Sequence, residues 1–408
     1  MLQSKLFTKT AKQAPKDEVS VNAQLLIRAG YVDKLMSGVY TYLPLGLRVL
    51  NNIKKIIREE IEAIGGQEIL MPALTPKENW IKTGRWDEID VLFKLEGAKK
   101  KEYALGSTHE EIVTPLVQKF ATSYKDLPVA VYQIQDKFRN EPRAKSGLLR
   151  GREFSMKDLY SFHTDEADLE AYYEKAKEAY FKIFRRCGLD ALLVEATGGA
   201  FSKFSHEFQV LTEHGEDEVY FCPECGRHQN KELVEDNKCP YCGAKREVKK
   251  AIEVGNIFKL KTKFSEAFGY KYTDEQGNLQ PVLMGCYGIG PSRVLGTIAE
   301  ASHDEAGIIW PESVAPFAVH LIALGKEESV FEEAKKLYEA LSKKGTQVLF
   351  DERREVSAGA KFAESDLLGI PQRLIVSSKT LEQGSVELKK RGESNPQLIK
   401  ISEAVKLF

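Results

Sequence analysis

The sequence predicts a protein of two domains that mixes helices and strands: an α+β N-terminal domain and a smaller α/β domain at the C-terminal end. Its 408 residues exceed the length at which a single hydrophobic core usually stops growing. In the last hundred residues, apolar strands alternate with helical segments, a pattern typical of helices that cover a mixed sheet. We therefore expect a domain boundary near residue 314, with domains at 1–313 and 314–408.

The C-terminal domain is predicted from the order of its segments. Apolar runs favour strands, amphipathic runs favour helices, and the two alternate along the chain. Strands are expected at 319–324, 347–350, 373–376, 384–390 and 398–401, and helices at 329–342 and 358–368.

Two long amphipathic helices define the N-terminal domain. The first follows the turn at Pro44, carries apolar residues at helical spacing and ends at Gly65, since glycine readily adopts the left-handed conformation. A strand at 67–72 should follow, and its terminal proline favours a sheet edge or an interface. The second helix is expected at 165–186, capped by Thr164 or Asp165 and stopped by Gly188.

Composition limits the class of protein. The chain is 42% hydrophobic, which is ample for filled cores, and its formal charge of −1 gives no overall basic signal for nucleic acid. No apolar stretch resembles a signal peptide, and nowhere do eighteen uncharged apolar residues run together. We expect a soluble, cytoplasmic protein without membrane contact.

Four of the six cysteines form a metal-site pattern. Two CxxC pairs, each followed by glycine, place two thiolates on one ion, and two such pairs complete a tetrahedron. The ligands are expected to be Cys222, Cys225, Cys239 and Cys242, within a zinc-ribbon-like insertion at 218–248. Four thiolates leave no open position, so the Zn²⁺ should be structural. The alternative of two redox pairs lacks a thioredoxin-like strand and helix, and His228 is expected to be a solvated loop residue.

A hairpin rich in arginine is the most informative motif. Arg139, Glu141, Arg150 and Phe154 are expected on two strands joined by a polar turn that contains Pro142, Lys145 and Gly147. Guanidinium groups bind phosphate oxygens in a bidentate manner, an aromatic ring can stack on a purine, and a carboxylate can accept from its amine. The set suits a nucleoside triphosphate, while a charged surface hairpin is the alternative. Downstream, glycines from Gly285 to Gly290 open a helix with Arg293 in its first turn, where the positive helix end favours phosphate.

These residues resemble the prolyl-tRNA synthetase family of class II aminoacyl-tRNA synthetases. The resemblance places motif 1 at about 39–74, motif 2 at about 132–163 and motif 3 at about 284–300. The strings at 106–111, 154–163 and 253–258 are similar to those of the prolyl enzymes, and 316–408 is similar to the anticodon-binding domain shared with the threonyl, glycyl and histidyl enzymes. It implies an antiparallel-sheet catalytic core, the zinc-ribbon-like insertion and a C-terminal α/β anticodon-binding domain.

The resemblance also implies an activity and its residues. The enzyme would ligate L-proline to tRNA(Pro) with ATP, through a prolyl-adenylate, as a homodimer with Mg²⁺ bound to the ATP. Arg139 and Arg293 would be the catalytic residues. The ATP site would comprise Arg139, Glu141, Arg150, Phe154, Glu253, Asn256 and Arg293. The proline site would comprise Thr108, Glu110, Arg139, His163 and Phe258.

Two departures from the family refine this expectation. Residues 214–252 hold only the four-cysteine segment, too few for the large editing domain of many bacterial-type enzymes, so we expect no editing of mischarged tRNA in cis. The sequence ends at Phe408, and we expect no extra C-terminal domain of the archaeal and eukaryotic type, which favours a bacterial-type enzyme.

Two alternatives compete with this interpretation. A non-catalytic paralogue should have lost Arg139, Glu141 or Arg293, and all three are present. A threonyl, glycyl or histidyl enzyme is disfavoured by the string at Thr108 and by Phe258. The anticodon-reading residues are not visible in the sequence, and Asp351, Glu352, Arg353 and Lys361 are suggested only by their place in the last domain.

Overall fold

The computed structural model describes residues 1–144 and 146–408, so Lys145 of the arginine hairpin lies outside the described residues. The helices, α1 to α12 in chain order, are Val21–Arg28, Pro44–Ala63, Lys77–Lys82, Arg85–Glu88, Glu110–Val117, Glu166–Arg186, Lys263–Ala267, Pro291–Ala301, Glu328–Lys343, Ala358–Leu368, Ser378–Leu381 and Ile401–Leu407. Among the described residues, none of these helices combines the length and the apolar character that crossing a membrane requires.

The strands of the described residues form five sheets. In chain order, β1 to β21 are Val32–Met36, Val39–Tyr42, Gln67–Glu68, Leu74–Pro76, Lys94–Glu96, Glu102–Leu105, Val129–Phe138, Glu153–His163, Ala191–Thr197, Phe204–Leu211, Asp217–Phe221, His228–Asn230, Glu247–Lys261, Lys271–Thr273, Leu279–Pro281, Leu283–Ile289, Val319–Leu324, Val348–Asp351, Gln372–Ser377, Ser385–Lys390 and Gln397–Lys400.

The chain divides into two compact units. The smaller unit contains Met1–Leu35, Tyr40–Asn52 and Ile298–Phe408, and the larger unit contains Met36–Val39 and Ile53–Thr297. Because the smaller unit takes segments from both ends of the chain, a single point in the sequence does not describe the division.

A nine-stranded sheet forms the centre of the larger unit, in the order β10-β9-β12-β11-β13-β16-β8-β7-β3. Its pairs are antiparallel except β12 with β9 and β3 with β7. Strand β10 also pairs with β13, so the strands at that end close back on themselves. The four-cysteine segment contributes β11 and β12 to this sheet and is therefore an integral part of it.

Helix α6 packs on one face of the central sheet. It begins after Asp165, whose side chain accepts from the backbone N–H of Asp168, and ends before Gly188, whose φ is +74°. Its apolar stripe is buried, including Tyr173, Tyr180 and Phe184. Prediction and structure agree on this helix to within one residue.

The strand of motif 1 is shorter than predicted. Helix α2 ends near Gly65 as expected, but β3 spans only Gln67–Glu68, at the edge of the sheet. One backbone bond continues past it, from the Ile69 N–H to the Tyr132 carbonyl at 2.7 Å. At Met71, the N–H donates to Gln133 Oε1 at 2.9 Å and the carbonyl accepts from Gln135, so side-chain amides replace the expected ladder there.

The five-stranded sheet of the smaller unit has the order β18-β17-β19-β20-β21. Its first three strands are parallel and its last two are antiparallel, which confirms the predicted mixed sheet. Helix α9 buries Val330, Phe331, Ala334, Leu337 and Leu341 in the core of this unit.

Candidate active site

Strands β8, β10, β13 and β16, the turn that follows β7 and the first turn of α8 line one cavity of about 560 Å³ in the larger unit. Of the sequence-predicted residues, the structure brings nine to this cavity: Thr108, Arg139, Glu141, Arg150, Phe154, Glu253, Asn256, Phe258 and Arg293. Glu110 lies immediately behind its wall, and His163 does not reach it.

The arginine hairpin forms one side of the cavity. Strands β7 and β8 pair with Lys137 opposite Phe154, and the Arg139 N–H continues the ladder to the Arg152 carbonyl at 2.8 Å. This register places the Arg139 guanidinium 5.2 Å from the centre of the Phe154 ring. A cation and an aromatic face therefore meet at the end of the hairpin.

Two arginines of the cavity are paired with carboxylates. Arg150 donates to Glu141 Oε2 from Nε at 3.1 Å and from Nη2 at 3.0 Å. Arg293, in the first turn of α8, donates from Nη1 to Glu253 Oε2 at 2.7 Å. Burial lowers the pKa of Arg139, with the charge of Arg293 acting in the same direction. The cavity thus gathers three guanidinium groups suited to oxyanions.

Acidic residues that the sequence analysis missed lie beside this arginine cluster. Glu207 and Asp217 line the cavity, and Gln209 donates from Nε2 to both, at 2.8 and 3.1 Å. Burial and the nearby charge of Glu253 raise the pKa of Glu207 to about 8. Burial also raises the pKa of Asp217.

A β-bulge explains how these side chains come together. Along β10 and β13, Phe208 pairs with Gly255 but Gln209 pairs with Glu253, so Val254 has no partner in the ladder. Such an extra residue shifts the alternation of side chains between the two faces. Glu253 and Asn256, three positions apart, consequently both line the cavity.

At the other end of the cavity, a buried carboxylate lies behind polar wall residues. Glu110 is fully buried at the start of α5, where its Oε2 accepts from the Thr108 hydroxyl and its Oε1 from the Cys286 thiol at 3.2 Å. Both donors line the cavity. Arg85 Nη1, a residue the sequence analysis did not consider, lies 3.3 Å from Glu110 Oε2.

An aromatic pair lies next to this carboxylate. Phe258 and Phe201 line the cavity with ring centres 4.9 Å apart. His163 was expected nearby, but it does not line the cavity. Strand residues alternate between faces, and Met156 and Asp158 face the cavity, so odd-numbered His163 faces α6. There it bonds to Asp168 at 2.6 Å and to Ser161 at 2.8 Å.

The four cysteines converge as the spacing predicts. Their sulfur atoms all lie within 4.8 Å of one another, with Cys222 and Cys242 at 3.5 Å and Cys225 and Cys239 at 3.6 Å. His228 is not part of this group. Contrary to expectation it is buried on β12, stacked on Phe221 with ring centres 4.4 Å apart.

Two of the suggested anticodon-reading residues are internal. Asp351 is fully buried and Lys361 is 2% exposed, and Lys361 Nζ lies 3.5 Å from Asp351 Oδ1. Arg353 donates to both Asp351 and Glu364. These ion pairs hold β18 to α10 within the smaller unit, which argues against base recognition by Asp351 and Lys361.

The central sheet is mainly antiparallel, carries the arginine hairpin and is followed by α8, whose first turn contains Arg293. This arrangement defines the catalytic core of class II aminoacyl-tRNA synthetases. The family model of the tRNA synthetase class II core domain (G, H, P, S and T) matches residues 93–302, and that of the anticodon binding domain matches 318–408.

Similar proteins narrow the class. The proline–tRNA ligase of Halothermothrix orenii is 34% identical over 559 aligned positions, covering 100% of this chain and 98% of the relative. That of a Sulfurihydrogenibium species is 35% identical, covering 98% of each. The chain therefore belongs to the proline–tRNA ligase family. The prolyl-tRNA synthetase of Giardia lamblia, solved with prolyl-adenylate, shares the fold, with a TM-score of 0.78 and 21% identity over 93% of this chain and 74% of that one.

Proposed function

We propose that this ligase activates L-proline with ATP to form prolyl-adenylate and pyrophosphate, and then transfers the prolyl group to the terminal ribose of tRNA(Pro). The observation that carries the proposal is the convergence of Arg139, Arg150 and Arg293 with Thr108 and Phe258 around one cavity. A carboxylate oxygen of proline attacks the α-phosphorus, pyrophosphate leaves, and no protein nucleophile is needed. Catalysis then rests on positioning and on neutralising charge.

The ATP roles follow from the arginine hairpin. Arg139, which lines the cavity together with Thr108, bridges the proline carboxylate and the α-phosphate. Phe154 stacks on the adenine, and Glu141 accepts from its exocyclic amine. Arg150 and Arg293 hold the outer phosphates, for which each exchanges its present carboxylate partner, Glu141 or Glu253. Arg150 and Arg293 therefore leave their carboxylate partners and bind phosphate only when nucleotide is present.

The donor set beside Arg293 suits Mg²⁺. Hard oxygen ligands are what this ion prefers. Glu253 and Asn256 face the cavity, and Asn256 Oδ1 is buried without a hydrogen-bond partner among the described residues. Bound with ATP, Mg²⁺ would neutralise phosphate charge. Glu253 and Asn256 would hold it, and Glu207 orients Asn256 by accepting from its Nδ2 at 3.4 Å.

The proline site has acceptors for both N–H groups of a secondary ammonium. Thr108 donates its own hydroxyl proton to Glu110, which leaves its oxygen lone pairs facing the cavity. Glu110 supplies the negative charge directly behind. Charge-assisted bonds of this kind are about twice as strong as neutral ones. Phe258, supported by Phe201, forms the apolar wall for the ring.

We assign a structural Zn²⁺ to the cysteine cluster. A tetrahedron with Zn–S bonds of about 2.3 Å has sulfur–sulfur edges of about 3.8 Å, close to the spacing present here. Gly226 and Gly243, each directly after a CxxC pair, have φ of +67° and +76°. This left-handed turn lets the chain wrap a knuckle around an ion, and four sulfur ligands leave no site for hydrolytic chemistry.

We further propose that the chain lacks cis editing. Residues 214–252 are used by β11, β12, both cysteine knuckles and the start of β13. The alignment to the Halothermothrix orenii relative has 559 positions against 408 residues here, so 151 positions of that relative face gaps. A purified chain that rapidly deacylates alanyl-tRNA(Pro) would overturn this part of the proposal.

Pyrophosphate exchange tests activation and substrate choice together. Purified protein should exchange with proline far more efficiently, by kcat/KM, than with any of the other nineteen amino acids, with alanine as a weak substrate. Arg139→Ala should abolish exchange, because the residue touches both reacting groups, and near-normal exchange by this variant would remove the assigned site. Sedimentation of the purified chain tests the predicted homodimer, and fractionation of its native cells tests the predicted cytoplasmic location.

A further inference from the structure

We infer that Arg85 is a positioning residue for proline selection, which joins the acidic and aromatic sides of the proline site through one guanidinium. The inference rests on the proposed function of that site. Arg85 opens the short helix α4, after Gly84 with φ of +74°, and its side chain is 2% exposed. It therefore acts through its neighbours and does not touch the substrate.

The acidic side is held through one nitrogen. Arg85 Nη1 lies 3.3 Å from Glu110 Oε2 and 2.9 Å from Glu111 Oε1. Among the described residues, Glu110 receives its other hydrogen bonds from Thr108 and Cys286, and both of these face the cavity. Arg85 is thus the contact that fixes the rear of the Glu110 carboxylate, and its positive charge balances one of two adjacent buried carboxylates.

The aromatic side is held through the guanidinium plane. The Arg85 Cζ lies 4.7 Å from the centre of the Phe201 ring, and Phe201 lies 4.9 Å from Phe258, the wall of the proline site. The rings of Phe264 and Trp80 lie 5.3 and 5.7 Å from the same carbon, so the guanidinium is confined in an aromatic setting. A planar cation suits this place better than an ammonium.

The Arg85 guanidinium therefore sets the distance between the Glu110 carboxylate, which receives the ammonium of proline, and Phe258, which packs against its ring. Proline differs from alanine by its ring and by its secondary nitrogen, and both differences are read across this distance. Loss of Arg85 should weaken proline binding and also reduce discrimination against alanine, without changing the ATP end of the cavity.

The test separates the two contacts of Arg85 in steady-state pyrophosphate exchange. Arg85→Lys keeps the charge near Glu110 but loses the planar stack, and Phe201→Leu loses the same stack from the other side. Each should raise the KM for proline by up to roughly 30-fold, the equivalent of a desolvated cation–π contact of about 2 kcal/mol. Because they remove one contact, the double variant should show much less than the product of the two effects. Arg85→Met, which loses both contacts, should raise this KM further.

Two further readouts and one control variant distinguish a positioning role of Arg85 from general damage to the fold. The KM for ATP should stay within about twofold in every variant, and the ratio of kcat/KM for proline to that for alanine should fall. Thr83→Val is the matched control. Among the described residues, the Thr83 hydroxyl bonds to the Trp80 carbonyl or to Glu111 and not to Glu110, so the change should leave the KM for proline within about twofold.

Specific outcomes overturn the inference. An unchanged KM for proline in Arg85→Lys, or effects of Arg85→Lys and Phe201→Leu that multiply, would show that Arg85 does not act through the aromatic wall. If Arg85→Met does not fold, as judged by circular dichroism, the Lys and Leu cycle still decides the matter. Failure of the wild type to exchange with proline would instead refute the proposed function.

Discussion

Replacing Glu110 by glutamine tests the proline site most directly, because the change keeps the shape of the side chain and removes its charge. We expect the KM for proline to rise sharply and the KM for ATP to stay nearly constant. Glu110 is fully buried, and among the described residues its carboxylate bonds to Thr108, Cys286 and Arg85. Neither Glu141 nor Phe154, which the proposed site assigns to the adenine, is one of these partners.

The magnitude follows from the contacts. A hydrogen bond to a charged group contributes about 1.5–3 kcal/mol, so losing the ammonium–carboxylate bond should raise the KM for proline roughly 10- to 150-fold. Glutamine can keep its carbonyl toward Thr108 and Arg85 and direct its amide N–H₂ toward Cys286, which preserves the packing. The cost should therefore appear in substrate binding more than in stability.

The assay is proline-dependent pyrophosphate exchange, with proline and ATP varied separately. Glu111→Gln is the matched control, because Glu111 is equally buried and also bonds to Arg85, at 2.9 Å against 3.3 Å for Glu110, but its other hydrogen-bond donor, Thr83, does not line the cavity. The control should change the KM for proline by less than about threefold. Equal effects of the two glutamine variants, or equal rises in the two substrate KM values, would refute the assignment of Glu110.

Three further predictions concern the metal site and buried charges. Cys225→Ser should reduce bound zinc from about one ion per chain and lower the melting temperature, while Cys187→Ala, outside the cluster, should keep the metal, both checked by metal analysis. Burial raises the pKa of Glu207 to about 8 in the folded state, so the unfolded state binds fewer protons between its usual pKa and about 8. In denaturant titrations, wild type should therefore lose stability relative to Glu207→Gln as the pH rises from about 4.5 to 8. Burial lowers the pKa of Lys157 to about 7, so here the unfolded state binds more protons above that pH. Relative to Lys157→Met, wild type should therefore gain stability between about pH 7 and 10.5. A difference in stability that does not change with pH would contradict the lowered pKa of Lys157.

The sequence could predict those parts of the site that lie close together along the chain. Arg139, Glu141 and Phe154 belong to one hairpin, so strand pairing alone brings them together. The cysteine knuckles are equally local, since each CxxC turn fixes two ligands, and the long helices follow from apolar periodicity.

Other parts depend on packing that no local pattern encodes. Arg85 reaches Glu110 across 25 residues, and Glu207 joins Glu253 because of a bulge that shifts the register by one residue. The position of His163 could have been predicted from the sequence. Strand alternation places it on the face opposite Asp158, and counting along β8 from the arginine hairpin would have shown this.

The pairing of charges in the cavity has a consequence for how nucleotide binds. Arg150 and Arg293 are each bonded to a carboxylate that the proposed mechanism assigns to ATP or to its metal, Glu141 and Glu253. Removing one partner from such a half-buried pair leaves an uncompensated charge, which is unfavourable. Triphosphate alone would free Glu253 without a cation, and Mg²⁺ alone would free Arg293 without an anion. Only the two together give both Arg293 and Glu253 a partner of opposite charge, and therefore ATP and Mg²⁺ should bind this cavity as one unit.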